Sequence, residues 1–200
     1  FRLNPNASQL AFMQSFTFTN ANIWILRGYI YFASLPSAAL NIGILIMQSG
    51  TDTAGVWYNP SDSKIYAGYN RAIGSTGVSV TTGQWYLIDT KINLSANPWL
   101  IDVQVDHVAC SQLSQPVAAA NANVINFGDG GTNVALDMFL DDLIASNTSI
   151  DYPSGDGYVN HFVPTADGVH NVAGAADFRR GGTTTDITNV GNAPGDGPLR

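Results

Sequence analysis

Glutamate is absent from this chain, and lysine occurs only twice, as Lys64 and Lys91. All 15 acidic residues are therefore aspartates, and the formal net charge is −7. Glu and Lys usually fill exposed helix faces, whereas Thr, Val and Tyr favour strands and Gly, Asn and Asp favour turns. The composition predicts an all-β protein. The negative charge and the scarcity of basic residues argue against binding to a nucleic-acid backbone.

Cysteine and long apolar runs are equally scarce. Cys110 is the single cysteine of the 200 residues, so no internal disulfide can form and a core must supply the stability. The longest largely apolar run, Leu40 to Met47, has the length of a strand and excludes a membrane-spanning helix. Hydrophobic residues make up 45% of the chain, which is ample for one sandwich domain.

The stretch from Thr81 to Cys110 shows the clearest pattern in the chain. Apolar residues of one parity alternate with polar ones on both sides of the loop Ser95–Pro98. The apolar set is Tyr86, Ile88, Ile92, Leu94, Ile101, Val103 and Val105. Period-two alternation around a Pro/Asn loop predicts two antiparallel strands with one buried face. A second, tight turn is expected at Asp106-His107, where positive φ is required.

The order of these motifs resembles the laminin-G-like, concanavalin A-like jelly rolls. The resemblance rests on the Thr-Gly-x-Trp-Tyr start at Thr82, the Val-x-Val-Asp end at Asp106, the segment 32–37 and the Phe-Gly and Asp-Asp-Leu-Ile strands near Phe127 and Asp141. It covers roughly Ile23 to Ala145, and His107 stands where that family usually has Gly. The resemblance implies a two-sheet antiparallel jelly-roll sandwich over residues 1–146.

Residues 147–200 form a Gly-, Asp- and Thr-rich segment with few large aliphatic residues. Such a segment cannot bury enough surface to fold alone. We expect an extended arm that docks on its own sandwich or on a neighbouring subunit. Its aromatic and aliphatic anchors would be Tyr158, Phe162, Val163 and Phe178. The Gly-Asp-x-x-Val and Phe-Val-Pro-Thr motifs of this segment resemble structural proteins of tailed bacteriophages, which implies repeated copies or a homo-oligomer on a virion, held by contacts with other virion subunits.

Enzymatic chemistry finds little support in the sequence. Hydrolases of the resembled fold typically use paired glutamates, and the one adjacent carboxylate pair, Asp141-Asp142, is expected to point to opposite faces of a strand. Cys110 is interpreted as a small buried hydrophobe and His107 as a turn residue. His161 and His170 show no spacing typical of a triad or a metal site. The sequence thus predicts a protein that is not an enzyme and needs no cofactor.

Two kinds of binding site stay open. Lectin-like sandwiches often hold calcium in late loops, and the candidate ligands are Asp129, Asp141 and Asp142, with Asp151 and Asp156 nearby. Trp57, Tyr58 and Trp99 lie beside loops and are candidates for stacking on glycans, with burial in the core as the alternative. Trp24 and Trp85 are expected in the core. Two functions follow, a virion structural protein or a glycan-binding adhesin module on a virion or cell surface.

Overall fold

The structure, a computed structural model, describes residues 1–4, 12–15, 17–37, 40–128, 135–149 and 152–153. All regular elements in this part of the chain are strands. They are β1 (Arg2–Leu3), β2 (Met13–Gln14), β3 (Ile23–Ser37), β4 (Ile42–Ser49), β5 (Asp52–Asn59), β6 (Lys64–Tyr69), β7 (Ala72–Ile73), β8 (Val78–Ser79), β9 (Trp85–Asn93), β10 (Trp99–Val105), β11 (Val108–Ala109), β12 (Leu113–Gln115), β13 (Val124–Phe127) and β14 (Ala135–Ser146). The all-β prediction is confirmed.

The strands form two antiparallel sheets of seven strands each. Sheet A has the order β1-β14-β3-β9-β10-β11, with β12 also paired to β10. Sheet B has the order β2-β13-β4-β5-β6-β7, with β8 also paired to β6. The predicted hairpin is the pair β9–β10, in register from Leu100 opposite Asn93 to Val105 opposite Ile88. This architecture is the predicted two-sheet jelly-roll sandwich.

The core lies between the two inner sheet faces. All seven apolar residues of the hairpin pattern are buried there, which confirms the predicted inward face. The largest side chains with almost no exposure are Trp99, Tyr58, Phe32, Phe127, Leu26, Ile30, Ile42, Ile44, Leu45, Met47, Ile65 and Ile88. Their spread over both sheets shows that a single apolar layer holds the sandwich together.

The turn between β10 and β11 is the expected two-residue hairpin turn. Asp106 and His107 both have positive φ, of 47° and 65°. Two consecutive residues with positive φ define a type I′ turn, whose twist matches the flanking strands. Asp106 also fastens the turn to β9, because its Oδ1 accepts a hydrogen bond of 2.8 Å from the Leu87 amide. His107 therefore replaces the usual Gly without loss of the turn.

One strand is longer than the sequence indicates. Pro36 in the Leu35-Pro36-Ser37 segment indicates a break in the strand, but the segment is the last part of β3. Proline is tolerated there because the register with β14 is irregular: Ser37 pairs with Ala135 and Ser34 with Asp137, so Pro36 has no ladder partner.

The chain divides into two units, Phe1–Gly155 and Asp156–Arg200. Every described residue belongs to the first unit. The boundary after residue 146 and the arm beyond it stay predictions, since residues 150–151 and 154–200 lie outside the described residues.

Candidate functional site

A row of aromatic side chains crosses the outer face of sheet A. Trp85, Tyr31, Phe139 and Arg2 are direct register partners on β9, β3, β14 and β1. The ring centroids of Tyr31 and Trp85 are 5.4 Å apart, and those of Tyr31 and Phe139 are 5.6 Å apart. Trp85 is 45% exposed, and Tyr31 and Phe139 are half-buried. We call these four residues the aromatic row; three strand spacings give it a length of about 14 Å.

Strand pleating places these rings outside the core. Tyr86, Phe32 and Leu140 follow the three aromatic residues directly in sequence, and all three are buried between the sheets. Because successive side chains of a strand point to opposite faces, their neighbours point outward. Contiguous aromatic surface of this kind commonly marks an interaction site.

Arg2 closes one end of the row. Its guanidinium carbon lies 5.1 Å from the centroid of the Phe139 ring. The same group donates two hydrogen bonds to Asp137, from Nε to Oδ1 at 2.8 Å and from Nη2 to Oδ2 at 2.7 Å. The hydrogen bonds between the two side chains raise the pKa of Arg2 and lower the pKa of Asp137, so both groups stay ionised. The bidentate geometry fixes the cation over the ring.

Two further carboxylates lie beside the row on β14. The register between β14 and β3 shifts between Asp141 and Ile144, and Asp142 has a φ of +48°. Asp141 and Asp142 are both exposed, and the Asp142 amide donates a 3.0 Å hydrogen bond to Oδ1 of Asp141. This bulge interrupts the regular alternation of the strand, and the expectation that the two side chains point to opposite faces stays a prediction.

The other half of the same sheet face is closed and polar. Arg27 and Asp89 are register partners on β3 and β9, and both are buried. The side chain of Tyr152 hydrogen-bonds with that of Gln104, the neighbour of Asp89 on β10. Burial raises the pKa of the Tyr152 hydroxyl, and the charges of Asp102 and Asp89 raise it further. The aromatic row is therefore the open part of this face.

The three rings predicted to stack on glycans are all buried. Trp57 is 3% exposed, and Tyr58 and Trp99 are each 1% exposed, so the prediction of surface rings is wrong for all three. Tyr58 points inward from β5 onto Phe32, with ring centroids 5.8 Å apart. Trp99 packs edge-on against Tyr69, and its Nε1 donates to the Ala118 carbonyl at 2.8 Å. Their loop-side positions in the sequence do not prevent burial.

Trp57 is buried differently, on the outer side of sheet B. Its ring lies against two glycines on the neighbouring strands: a Cβ built on Gly68 would be 2.2 Å from Trp57 Cδ1, and one built on Gly43 would be 3.6 Å from Cη2. Asn41 and Arg71 join the loops beside these strands through two hydrogen bonds of 2.8 Å, each from a side chain to the other residue's carbonyl. Trp57 Nε1 is buried with no hydrogen-bond partner among the described residues.

The remaining tryptophans divide evenly between correct and incorrect predictions. Trp24 is buried as expected, and its Nε1 donates to the Ala122 carbonyl at 3.0 Å. Trp85, predicted in the core, is instead the most exposed ring of the aromatic row. The signal that identifies it was present in the sequence, because Trp85 has the parity opposite to that of Tyr86 and Ile88. Tyr31 and Phe139 follow from the same rule once Phe32 and Leu140 are placed inward.

The calcium candidates gain no support from this part of the chain. No group of three His, Cys or Asp side chains that could hold a metal ion occurs among the described residues. Asp129, Asp151 and Asp156 lie outside the described residues, and calcium binding stays untested. The predicted arm anchors Tyr158, Phe162, Val163 and Phe178 also lie outside them, as do His161 and His170.

Cys110 is buried, as predicted for a small hydrophobe. Its thiol donates to the Ile65 carbonyl at 3.3 Å, and burial raises the pKa of the thiol to about 11. A thiol that stays protonated at neutral pH is a poor nucleophile.

The comparisons with known proteins identify the fold alone. No protein-family model and no curated protein matches the chain. Among solved structures, a sialidase aligns with 75% of this chain at 11% identity and a TM-score of 0.54, and the aligned part is 15% of the sialidase. A heptameric SAP-like pentraxin from Limulus polyphemus aligns over 72% of this chain and 74% of its own at 12% identity and a TM-score of 0.47. The carbohydrate binding module CBM66 from Bacillus subtilis aligns over 68% of this chain and 91% of its own at 8% identity and a TM-score of 0.43.

Together with the sheet order, the alignment to the sialidase supports a concanavalin A-like β-sandwich, which agrees with the resemblance noted in the sequence. Because the chain spans about a seventh of that protein, the likeness shows nothing of its activity here. Within the described residues, no helix is long and apolar enough to cross a membrane.

Proposed function

We propose that this domain is a non-catalytic glycan-binding module that uses the aromatic row as its binding surface. The observation that carries the proposal is the exposure of Trp85 in direct register with Tyr31 and Phe139 on an open sheet face. Solvent-exposed rings in line, with polar groups on either side, match the alternation of apolar C–H faces and hydroxyl groups along a sugar chain.

The dimensions of the row fit a short stretch of polysaccharide. Neighbouring rings are separated by about one strand spacing, which is comparable with the length of one pyranose unit. The Tyr31 hydroxyl and the carboxylates of Asp137 and Asp141 lie beside the rings and supply hydrogen-bonding groups. A chain lying across the strands would thus contact the row with about three sugar units.

The absence of catalysis is part of the same proposal. A glycosidase needs one carboxyl group as acid and a second as base or nucleophile on opposite sides of the scissile bond. Asp141 and Asp142 are adjacent residues of one exposed bulge, where the Asp142 amide donates a hydrogen bond to Oδ1 of Asp141, and this arrangement does not place carboxyl groups on opposite sides of a bound sugar.

The test is a binding screen against soluble plant, algal and bacterial polysaccharides, followed by calorimetry on each ligand found. Trp85→Ala should weaken binding at least tenfold, about 1.4 kcal/mol, because it removes the most accessible ring. Val108→Ala is the matched control, since Val108 is 56% exposed and lies away from the row. Equal binding by Trp85→Ala and the parent would refute the assignment of the site. Release of reducing ends by the parent would refute the non-catalytic part.

The virion location predicted from the sequence is a separate proposal. It rests on the resemblance of the segment after residue 146 to bacteriophage structural proteins, and a glycan-binding module is compatible with a virion or a cell surface. The residues that carry the resemblance lie outside the described residues. Deletion of residues 172–200 is the test, and it should weaken incorporation into a particle while leaving the unfolding of the sandwich nearly unchanged.

A further inference from the structure

The charges around the aromatic row point to the class of glycan that the row accepts. Asp137, Phe139 and Asp141 have the same parity on β14, so a carboxylate lies on each side of the Phe139 ring along the strand, about 6.5 Å away. Asp142 is exposed in the bulge that follows. Three carboxylates thus lie around the Phe139 end of a row that contains a single cation.

That cation is already engaged. Both hydrogen bonds of the Arg2 guanidinium go to the two oxygens of Asp137, and its face covers the Phe139 ring. A uronate or sialate carboxyl would find only the remaining Nη donors of Arg2, on a guanidinium whose charge is already offset by Asp137. Asp141 and Asp142 form no ion pair within the described part of the chain, so their charges are not neutralised nearby.

We infer that the aromatic row selects neutral glycans and rejects acidic ones. This inference rests on the proposed function and adds the ligand class to it. Neutral hydroxyl groups can donate hydrogen bonds to the free carboxylates, whereas a carboxyl group on every sugar unit would place like charges beside them. Repulsion between exposed charges acts over the Debye length, about 30 Å at 0.01 M salt and about 3 Å at 1 M salt, so the selectivity should depend on salt.

The experiment uses pairs of oligosaccharides that differ only at the carboxyl group: β-1,4-linked mannose and mannuronate hexamers, glucose and glucuronate hexamers, and methyl-esterified and free galacturonate hexamers. Calorimetry at about 0.01 M salt should give at least tenfold weaker binding, about 1.4 kcal/mol, for the acidic member of any pair that binds. At about 1 M salt the difference should shrink to about twofold, while the affinity of the neutral member changes little.

The variant Asp141→Asn/Asp142→Asn should remove most of the difference at low salt. Asn is well suited to position 142 because it tolerates the positive φ found there. The control Asp52→Asn/Asp62→Asn makes the same change in net charge on β5 and in the turn that follows it, and it keeps the acceptor oxygens used by Tyr69 and Tyr66. It should leave the selectivity unchanged.

Three outcomes distinguish the proposed glycan binding from the selectivity for neutral glycans. Both the glycan-binding site and its selectivity are supported if two results are found. Binding of the neutral glycan is lost in Trp85→Ala, and the acidic glycan, which binds the parent weakly, binds the double Asn variant more tightly. Equal or tighter binding of the acidic members overturns the selectivity and leaves the proposed function standing. If no member of any pair binds, the proposed function fails, and the selectivity fails with it.

Discussion

The contact between Trp57 and Gly68 allows a sharp test of why Trp57 is not a surface ring. A Cβ built on Gly68 would lie 2.2 Å from Cδ1 and 2.5 Å from Cγ of the Trp57 ring, and 2.9 Å from the Ala72 carbonyl oxygen. Real Cβ atoms do not approach other heavy atoms this closely, so Gly68→Ala must displace the indole. The ring is 3% exposed, which leaves it little room to move.

The expected cost follows from overpacking. Inserting a methyl group into a well-packed site costs about 1–3 kcal/mol, and the short distances to Trp57 place Gly68→Ala at the upper end, about 3 kcal/mol. Trp57→Ala alone should cost about 3–5 kcal/mol, as for other buried tryptophans. In the Trp57→Ala background the added Cβ no longer meets the ring, so Gly68→Ala should cost less than about 1.5 kcal/mol, the remainder coming from the Ala72 carbonyl.

Urea denaturation of the four proteins of this double-mutant cycle measures the coupling. Fluorescence of Trp24, Trp85 and Trp99 reports unfolding in all of them. A coupling energy of about 1.5 kcal/mol or more is expected. Additivity within about 0.5 kcal/mol would show that the two residues do not touch, and the account of Trp57 as a buried ring on a glycine surface would be refuted.

Two further predictions concern titration. Burial, with the hydrogen bond and charge of Asp62, raises the pKa of Tyr66 to about 12 from the ordinary value of 10. Tyr66 holds its proton to a higher pH in the folded than in the unfolded protein, so the stability that this proton contributes is complete below pH 10 and is lost as the pH rises to about 12. Tyr66→Phe should flatten the fall of the unfolding free energy over that window. An unchanged slope would contradict this prediction. Because Cys110 is buried and its pKa is raised to about 11, an aromatic disulfide reagent at pH 8 should react with it slowly in the native protein and fully in denaturant. Fast reaction of the native protein would place the thiol at the surface.

Much of the fold could be predicted from local pattern. The alternation from Tyr86 to Val105 identified the β9–β10 hairpin and its inward face, and Asp106-His107 marked a tight turn. Such predictions succeed because the two-residue period of a strand is a property of the backbone itself, and a one-residue slip would expose the whole apolar set. Trp85 was predicted in the core because it is aromatic. The strand parity would have placed its ring on the outer face.

The candidate site was harder to predict because its members come from four strands. Arg2, Tyr31, Trp85 and Phe139 are spread over more than 130 residues, and no local pattern says that they are register partners. The prediction that Trp57, Tyr58 and Trp99 are surface rings failed because it relied on local position alone. Trp57 and Trp99 lie beside loops in the sequence, but burial depends on which distant segment packs against a residue.

The sequence by itself therefore determined the longer strands, their inward faces and the jelly-roll class, because pleating and turn chemistry act locally along the chain and because the composition lacks glutamate and has little lysine. The tertiary structure alone decided which outward residues stay open. On the outer face of sheet A, Arg27 and Asp89 are buried, whereas Trp85 is accessible. On sheet B, the Trp57 ring packs against Gly43 and Gly68. Solvent exposure is a property of the whole packed surface, and long-range pairing fixes it.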